Sequence, residues 1–433
     1  MTSRSFRTRW PNLVRWAGPS LLTLVLVASQ LFAVPALTDP VAGTAPRSLH
    51  LSVPRLYLVL APLFTAWDGI SMLSMSRLQG FLTGLAWLYL FWRVTRLVVS
   101  DSSWGPRSWL RELGILAFSI SILLCFLLVG AMWHRPMVAL SGVSPHDRVV
   151  DFHSHTTFSH DVGGTWMRGF DMQANWGWHA RAGFDAVFVT DHNTIEGARD
   201  RRRHPGLCPG IEVSAWKAHI VLLGDTLPVE RDPFSRSFQG LLDLLRTSES
   251  AFGSLTLASL PEYRRNHWHR LDTLINAGLD GFEIVNASPK ANELTREDRN
   301  RVVTLARAHN LFVVGVSDTH GWGATSMVWN LVRSTQETSA GAACSTVLSQ
   351  LRQGFPAVRV IERHRLRPDD GWPMWLTPVG VLWETWRSMG LVLTISWLVW
   401  VWLLWSVPIL LRTSARRVKI ARSHSSRPPP PDR

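Results

Sequence analysis

The chain has only three cysteines in 433 residues, and none of them forms a CxxC pair. A zinc ribbon and a dithiol redox centre are therefore excluded, and the wide spacing of Cys208 and Cys344 argues against a disulfide between them. No P-loop, no informative GxGxxG and no nucleophile elbow occurs. Their absence removes P-loop phosphate chemistry, dinucleotide binding on a Rossmann turn and serine-hydrolase catalysis. There is no internal repeat. Acidic residues are missing from the first fifteen positions, which carry Arg4, Arg7, Arg9 and Arg15, and from the tail after 412 except for Asp432. These two ends supply ten of the thirteen net positive charges. So basic a chain would ordinarily raise nucleic acid as a partner. Here the charges flank apolar segments, as they do beside an anionic bilayer, so a lipid bilayer is the expected partner and stable nucleic-acid binding is not.

Long apolar runs are missing from the middle of the chain and crowd its ends. Runs at 13–37, 56–75, 78–99 and 110–133 define an N-terminal membrane region, 1–135, of three or four transmembrane helices. A further run at 389–411, with Trp397, Trp400, Trp402 and Trp405, predicts a C-terminal transmembrane helix over 386–412. A basic, proline-ending tail, 413–433, is expected to be disordered. The basic cluster after the last span places that tail in the cytoplasm and the intervening domain on the extracytoplasmic side of the cell membrane. The basic N-terminus and the Arg93, Arg96, Arg107 and Arg111 loop also call for the cytoplasm. All three demands are met only if 56–99 crosses a net once, and the residues do not say how. Asp68 within this region marks either a polar site in the membrane or a break between half-spans.

Residues 147–365 read differently. Strand-length apolar runs at 148–152, 186–190, 210–213, 219–223, 255–260, 282–285 and 312–316 alternate with amphipathic stretches such as 234–246, 269–277 and 295–309. This is an α/β pattern. Metal-ligand side chains gather where the runs stop, the place at which parallel α/β barrels put their chemistry. His153 and His155 are two apart, so on an extended strand both imidazoles face one side. Asp318 and His320 repeat that spacing. Asp191 and His192 are adjacent and face opposite ways, which makes His192 the ligand and leaves Asp191 to orient a ligand or handle a proton. Glu212 and His219 join the set, and His160 or Asp161 could complete it. Imidazoles mixed with carboxylates suit Zn²⁺, Mn²⁺ or Fe²⁺ better than Ca²⁺.

Taken together, DFHSHTTFS at 151–159, VTDHNT at 189–194, GIEVSAWKAHIVLLG at 210–224 and GVSDTH at 315–320 resemble the PHP family, the polymerase and histidinol phosphatase superfamily of phosphoesterases. The resemblance covers about residues 148–362. It implies a distorted (β/α)7 barrel, here flanked by transmembrane α-helices, that holds two or three divalent ions (Zn, Mn or Fe). The implied ligands are His153, His155, His160, Asp161, His192, Glu212, His219, Asp318 and His320, with Asp191 and His160 in catalytic roles. The expected activity is hydrolysis of a phosphate ester, either a phosphorylated small molecule or a membrane-associated ester, by a metal-activated water. The family's His-Pro motif is altered: Leu260 stands before Pro261 where a ligand histidine belongs. His267 and His269 nearby read as packing or surface residues, and Arg264 and Arg265 as a solvated loop. A barrel reduced in activity and acting as a membrane ligand sensor or scaffold is the alternative.

Overall fold

The strand-length runs assemble into one curled sheet. The computed structural model describes residues 4–425 apart from 100–105, 168, 200–203, 205, 225–227, 292–293, 324 and 335–342. Its strands are β1 (Leu37–Thr38), β2 (His50–Ser52), β3 (Ala139–Ser141), β4 (Asp147–Ser154), β5 (Ala186–Val189), β6 (Leu207–Ala215), β7 (Ala218–Leu223), β8 (Leu255–Ala258), β9 (Gly281–Asn286), β10 (Phe312–Val316), β11 (Val328–Arg333) and β12 (Val358–Arg363). Ten of them form one sheet in the order β1-β12-β11-β4-β5-β6-β7-β8-β9-β10, and β2 pairs with β3 separately. The result is barrel-like α/β, but not the seven-stranded barrel expected. β6 and β7 form an antiparallel hairpin, β7 pairs antiparallel with β8, and β11 runs antiparallel to both β4 and β12. The hairpin follows from its turn, where Ala215 pairs with Ala218 and Lys217 adopts φ 51°. Only two residues separate the strands, too few for the helical crossover that a parallel pair needs.

The curl brings β10, one end of the sheet, back beside β4 at the ligand motifs. Asp318 N donates to His153 O at 2.9 Å, and His155 N donates to Thr319 O at 3.0 Å. Lower down, the buried amide of Asn330 on β11 bridges β4 and β10. It donates to Val150 O at 2.8 Å and Gly315 O at 2.6 Å and accepts from Gly315 N at 2.8 Å. A side chain thus satisfies polar groups that a continuous ladder would otherwise have paired.

β5, β9 and β10 are buried at every position, as strands covered on both faces are. Helices Met172–Ala182, Phe238–Phe252 and Arg296–Ala308 pack on the sheet. Each begins at a side-chain cap, from Asp171, Ser237 and Thr295 respectively. The first two end at glycines in the left-handed region, Gly183 at φ 88° and Gly253 at φ 64°. A disulfide joins Cys208 on β6 to Cys344, contrary to the sequence expectation. The fold brings their Cα atoms to 5.5 Å across a sequence separation of 136.

The terminal regions also differ from expectation. Among the described residues two helical segments are long and apolar enough to cross a membrane, Ser108–Met132 and Leu391–Ile409, whereas four or five were expected. The 56–75 run is not one helix. It breaks into Arg55–Val59 and Ala61–Ser71, and Asp68 in the second is buried against residues of the barrel. The run at 78–99 lies within the helix Met75–Val99, whose Arg93 pairs with Glu112 on the neighbouring helix Pro106–Met132. The tail expected to be disordered continues as helix to Ser425, since no Gly or Pro interrupts it there; 426–433 lie outside the described residues.

Candidate metal centre

Five strands, β4, β5, β6, β7 and β10, and the helix His160–Gly163 supply the centre. The alternation of β4 aims His153 and His155 to one side, and their Nε2 atoms come within 3.0 Å of each other. Glu212, on β6, reaches them with Oε2 at 3.3 Å from His153 Nε2 and 3.4 Å from His155 Nε2. Asp318 Oδ1, just beyond β10, stands 3.2 Å from His155 Nε2 and 3.5 Å from His153 Nε2. His192 follows β5, with Nδ1 2.9 Å from Glu212 Oε2 and Nε2 3.1 Å from Asp161 Oδ2. His320 Nε2 meets the same Asp161 oxygen at 2.9 Å, and its Nδ1 donates to the Asp318 carbonyl at 2.9 Å. His219, at the start of β7, places Nδ1 3.0 Å from Glu212 Oε1.

These contacts form three overlapping groups able to hold an ion: His155, Asp161, His192 and His320; His153, His155 and Glu212; and His192, Glu212 and His219. The donor set fits a divalent transition metal. A second observation agrees with it. Glu212 Oε2, His192 Nδ1 and His155 Nδ1 are buried and none has a hydrogen-bond partner, although the first two lie 2.9 Å apart. The short separation without hydrogen-bond alignment is what atoms aimed at a common third point produce. Unsatisfied polar atoms this deep are costly unless a ligand completes them.

Protonation reflects the crowding. Burial disfavours a charged His192, yet the Glu212 and Asp161 carboxylates outweigh it and hold the imidazole up at about 10. Burial likewise opposes charge on His153, and Glu212, Asp318 and Glu283 together raise it well above the usual range. His155 is pushed down to about 4 by burial and by neighbouring His320. Asp318 lies well below the ordinary carboxyl range: burial works against this, and His153 and His155 overcome it.

Two proposed catalytic residues fall elsewhere. His160 is exposed at the start of the short helix His160–Gly163. Its ring lies 5.2 Å from that of His192, and it belongs to none of the three groups. The chain turns at Ser159, so the carboxylate one residue later, Asp161, enters the centre instead. Asp191 is buried with both oxygens committed to Thr156, Oδ1 accepting from its N at 2.6 Å and Oδ2 from its Oγ1 at 2.7 Å. It therefore fixes the loop that follows His155 rather than facing the ligands. Burial pushes its carboxyl up to about 6.

The sequence reading missed the supports. Glu283, fully buried on β9, holds His153 Nδ1 at 2.7 Å and accepts from Leu260 N and Asn286 Nδ2, each at 2.8 Å. An acidic residue inside an otherwise apolar strand was the available signal. Asp151 binds His179 Nε2 at 2.8 Å and the Ser317 amide at 3.1 Å, tying β4 to the last motif. Such partners orient ligands and set their basicity. Two left-handed residues, Asn193 at φ 54° and Asp318 at φ 46°, turn the chain at the ligands. Arg264 pairs with Asp298 at 2.7 Å and lies over the Trp268 ring, so it is not free to meet a substrate here. His267 is buried, with Nε2 3.1 Å from Lys217 O, and His269 is exposed.

No family model matches the sequence, and no curated protein matches it. Several solved structures are similar at low identity. A protein titled a "putative metal-dependent phosphoesterase" from Bifidobacterium adolescentis is 19% identical over 40% of this chain and 87% of its own, with a TM-score of 0.31. PsfC from Pseudomonas syringae is 15% identical over 56% of this chain and 98% of its own, at 0.34. An amidohydrolase from Chromobacterium violaceum, solved with sulfate and no metal, is 15% identical over 40% and 87%, at 0.28.

Proposed function

We propose that the chain is a membrane-anchored, PHP-like phosphoesterase dependent on divalent metal. The observation that carries this reading is the convergence of His153, His155, Glu212, Asp318 and His192 on shared space, with the buried Glu212 Oε2 left unpartnered. His153, His155, Asp161, His192, Glu212, His219, Asp318 and His320 would hold two or three ions, which when bound supply Lewis acidity and a more acidic water. The protein's part is positioning. Glu283 fixes the His153 ring, the Asp318 carbonyl fixes His320, and Asp191 fixes the Thr156 loop. Phosphate esters as the substrate class rest on the motif resemblance.

The reading also proposes four membrane crossings, by Arg4–Leu31, Met75–Val99, Pro106–Met132 and Leu391–Ser425. Support comes from the segment between the first two. β1 pairs with β12, β2 pairs with β3, and Tyr57 and Asp68 bond each other and Arg363. That segment packs with the barrel, which supports a single net crossing over 56–99 and, with it, a cytoplasmic position for all three basic stretches. The Cys208–Cys344 disulfide agrees with an extracytoplasmic barrel, because such bonds persist in oxidising compartments.

The test uses the purified full chain in detergent, with metal content and turnover of generic phosphate mono- and diesters measured together. His153→Ala and Asp318→Ala should each lower turnover about 10³-fold, corresponding to about 4 kcal/mol. Metal-replete protein with no turnover on any ester would sink the enzyme reading in favour of a sensor or scaffold. A reporter fused after Arg412 that reads outside would overturn the sidedness.

A further inference from the structure

Leu260 occupies the place where the motif resemblance calls for a ligand histidine, but its side chain is 1% exposed and packs in the core. It opens the helix Leu260–Asn266. At about 100° per residue, position 262 points about 200° away from position 260 around that helix. While Leu260 enters the core, Glu262 consequently faces the ligand cluster. Its Oε2 stands 3.9 Å from Nδ1 of His219, the imidazole that Glu212 Oε1 approaches at 3.0 Å. Glu262 Oε2 is buried and has no hydrogen-bond partner. Glu212 Oε2, in the same group, is likewise buried and unpartnered. The two carboxylates that approach His219 Nδ1 thus each keep one buried oxygen without a donor, which is unfavourable unless cations offset them.

We propose that Glu262 is a metal ligand, completing the His192, Glu212 and His219 group in place of the histidine that Leu260 displaced. The proposal rests on the metal-dependent reading above. It has a chemical consequence: a carboxylate is a harder donor than an imidazole and adds negative charge, which favours Mn²⁺ over softer ions at this position.

The experiment is calorimetric titration of Mn²⁺ into chelator-stripped full-length protein, for wild type, Glu262→Gln and Glu262→His. Glu262→Gln should weaken one class of Mn²⁺ sites at least about 10-fold, and Glu262→His should bind Zn²⁺ there more tightly relative to Mn²⁺. Thermal unfolding of the stripped proteins controls for folding. Removing an uncompensated carboxylate should leave the Tm of Glu262→Gln equal to wild type or higher. Wild-type Mn²⁺ stoichiometry and affinity in Glu262→Gln would overturn the assignment. So would a lowered metal-free Tm with unchanged Mn²⁺ binding, which would make Glu262 structural. A wild-type chain that binds no Mn²⁺ or Zn²⁺ at all would instead overturn the metal-dependent reading itself, and this inference with it.

Discussion

Two buried polar centres flank the loop that follows His320, and they are wired in opposite ways. Around Asp68 every carboxylate oxygen is matched. Oδ1 accepts from Arg135 at 2.7 Å and Thr325 at 2.9 Å, and Oδ2 accepts from Tyr57 at 2.6 Å and Arg363 at 2.7 Å. Arg135 also donates to Gly130 O at 2.8 Å, at the end of the helix Pro106–Met132. The candidate metal centre, buried at His153, His155 and Glu212, keeps Glu212 Oε2, His192 Nδ1 and His155 Nδ1 without partners. Of the Asp68 cluster Arg135 Nε is buried without a partner, but the carboxylate itself is saturated; a saturated carboxylate joins pieces of a fold, and an unsaturated one is open to something that binds. The contacts go beyond both sequence readings of Asp68, a polar site in the membrane or a break between half-spans: it is a junction between the helical region and the barrel.

Substitutions can break this contrast. The largest expected effect is at the saturated centre. Asp68→Ala leaves Arg135 and Arg363 uncompensated and should cost about 3–5 kcal/mol of stability, read by thermal or denaturant unfolding in detergent. Unchanged stability would mean that the network is not a structural junction. The unsaturated centre should respond to metal rather than to mutation. Adding Mn²⁺ at about 100 times its Kd to stripped protein should stabilise it by about 2.7 kcal/mol. The same addition to Glu212→Gln should stabilise much less, and equal stabilisation of both would contradict the ligand assignment. Glu283→Gln is a finer probe, because Glu283 orients His153 without entering the three groups. It should weaken metal binding about 10–100-fold while retaining the fold.

Metal binding should also depend on pH. Neighbouring carboxylates outweigh burial and raise His192 to about 10 and His153 well above the usual imidazole range in the metal-free centre. Metal needs the neutral imidazole, so binding must release protons, and affinity should rise with pH. Each released proton corresponds to about tenfold per pH unit. Titrations in buffers of different ionisation enthalpy count those protons, and pH-independent binding between about pH 6 and 8 would exclude this account.

Much of the centre was legible because its ligands sit in short local patterns. The i, i+2 spacing on a strand puts His153 and His155 on one side, and adjacency separates Asp191 from His192; the structure places all four accordingly. What failed to show depended on pairs distant in sequence. Glu283 supports His153 from 130 residues away, and Asp68 meets Arg363 from 295 residues away. Cys208 and Cys344 are partners only because the curled sheet brings them together. His160 and Asp161 show the limit within a motif: both were candidates, and a single turn at Ser159 decided which one faces the centre.

By itself the sequence determined the chemistry on offer, namely imidazoles and carboxylates at strand ends and basic ends beside apolar helices, because side-chain type and local period are written residue by residue. Only the tertiary structure decided which of those groups share a point in space, which polar atoms stay unpaired, and which side of the helices residues 37–72 join. Those properties belong to contacts across the fold, and no local pattern encodes them.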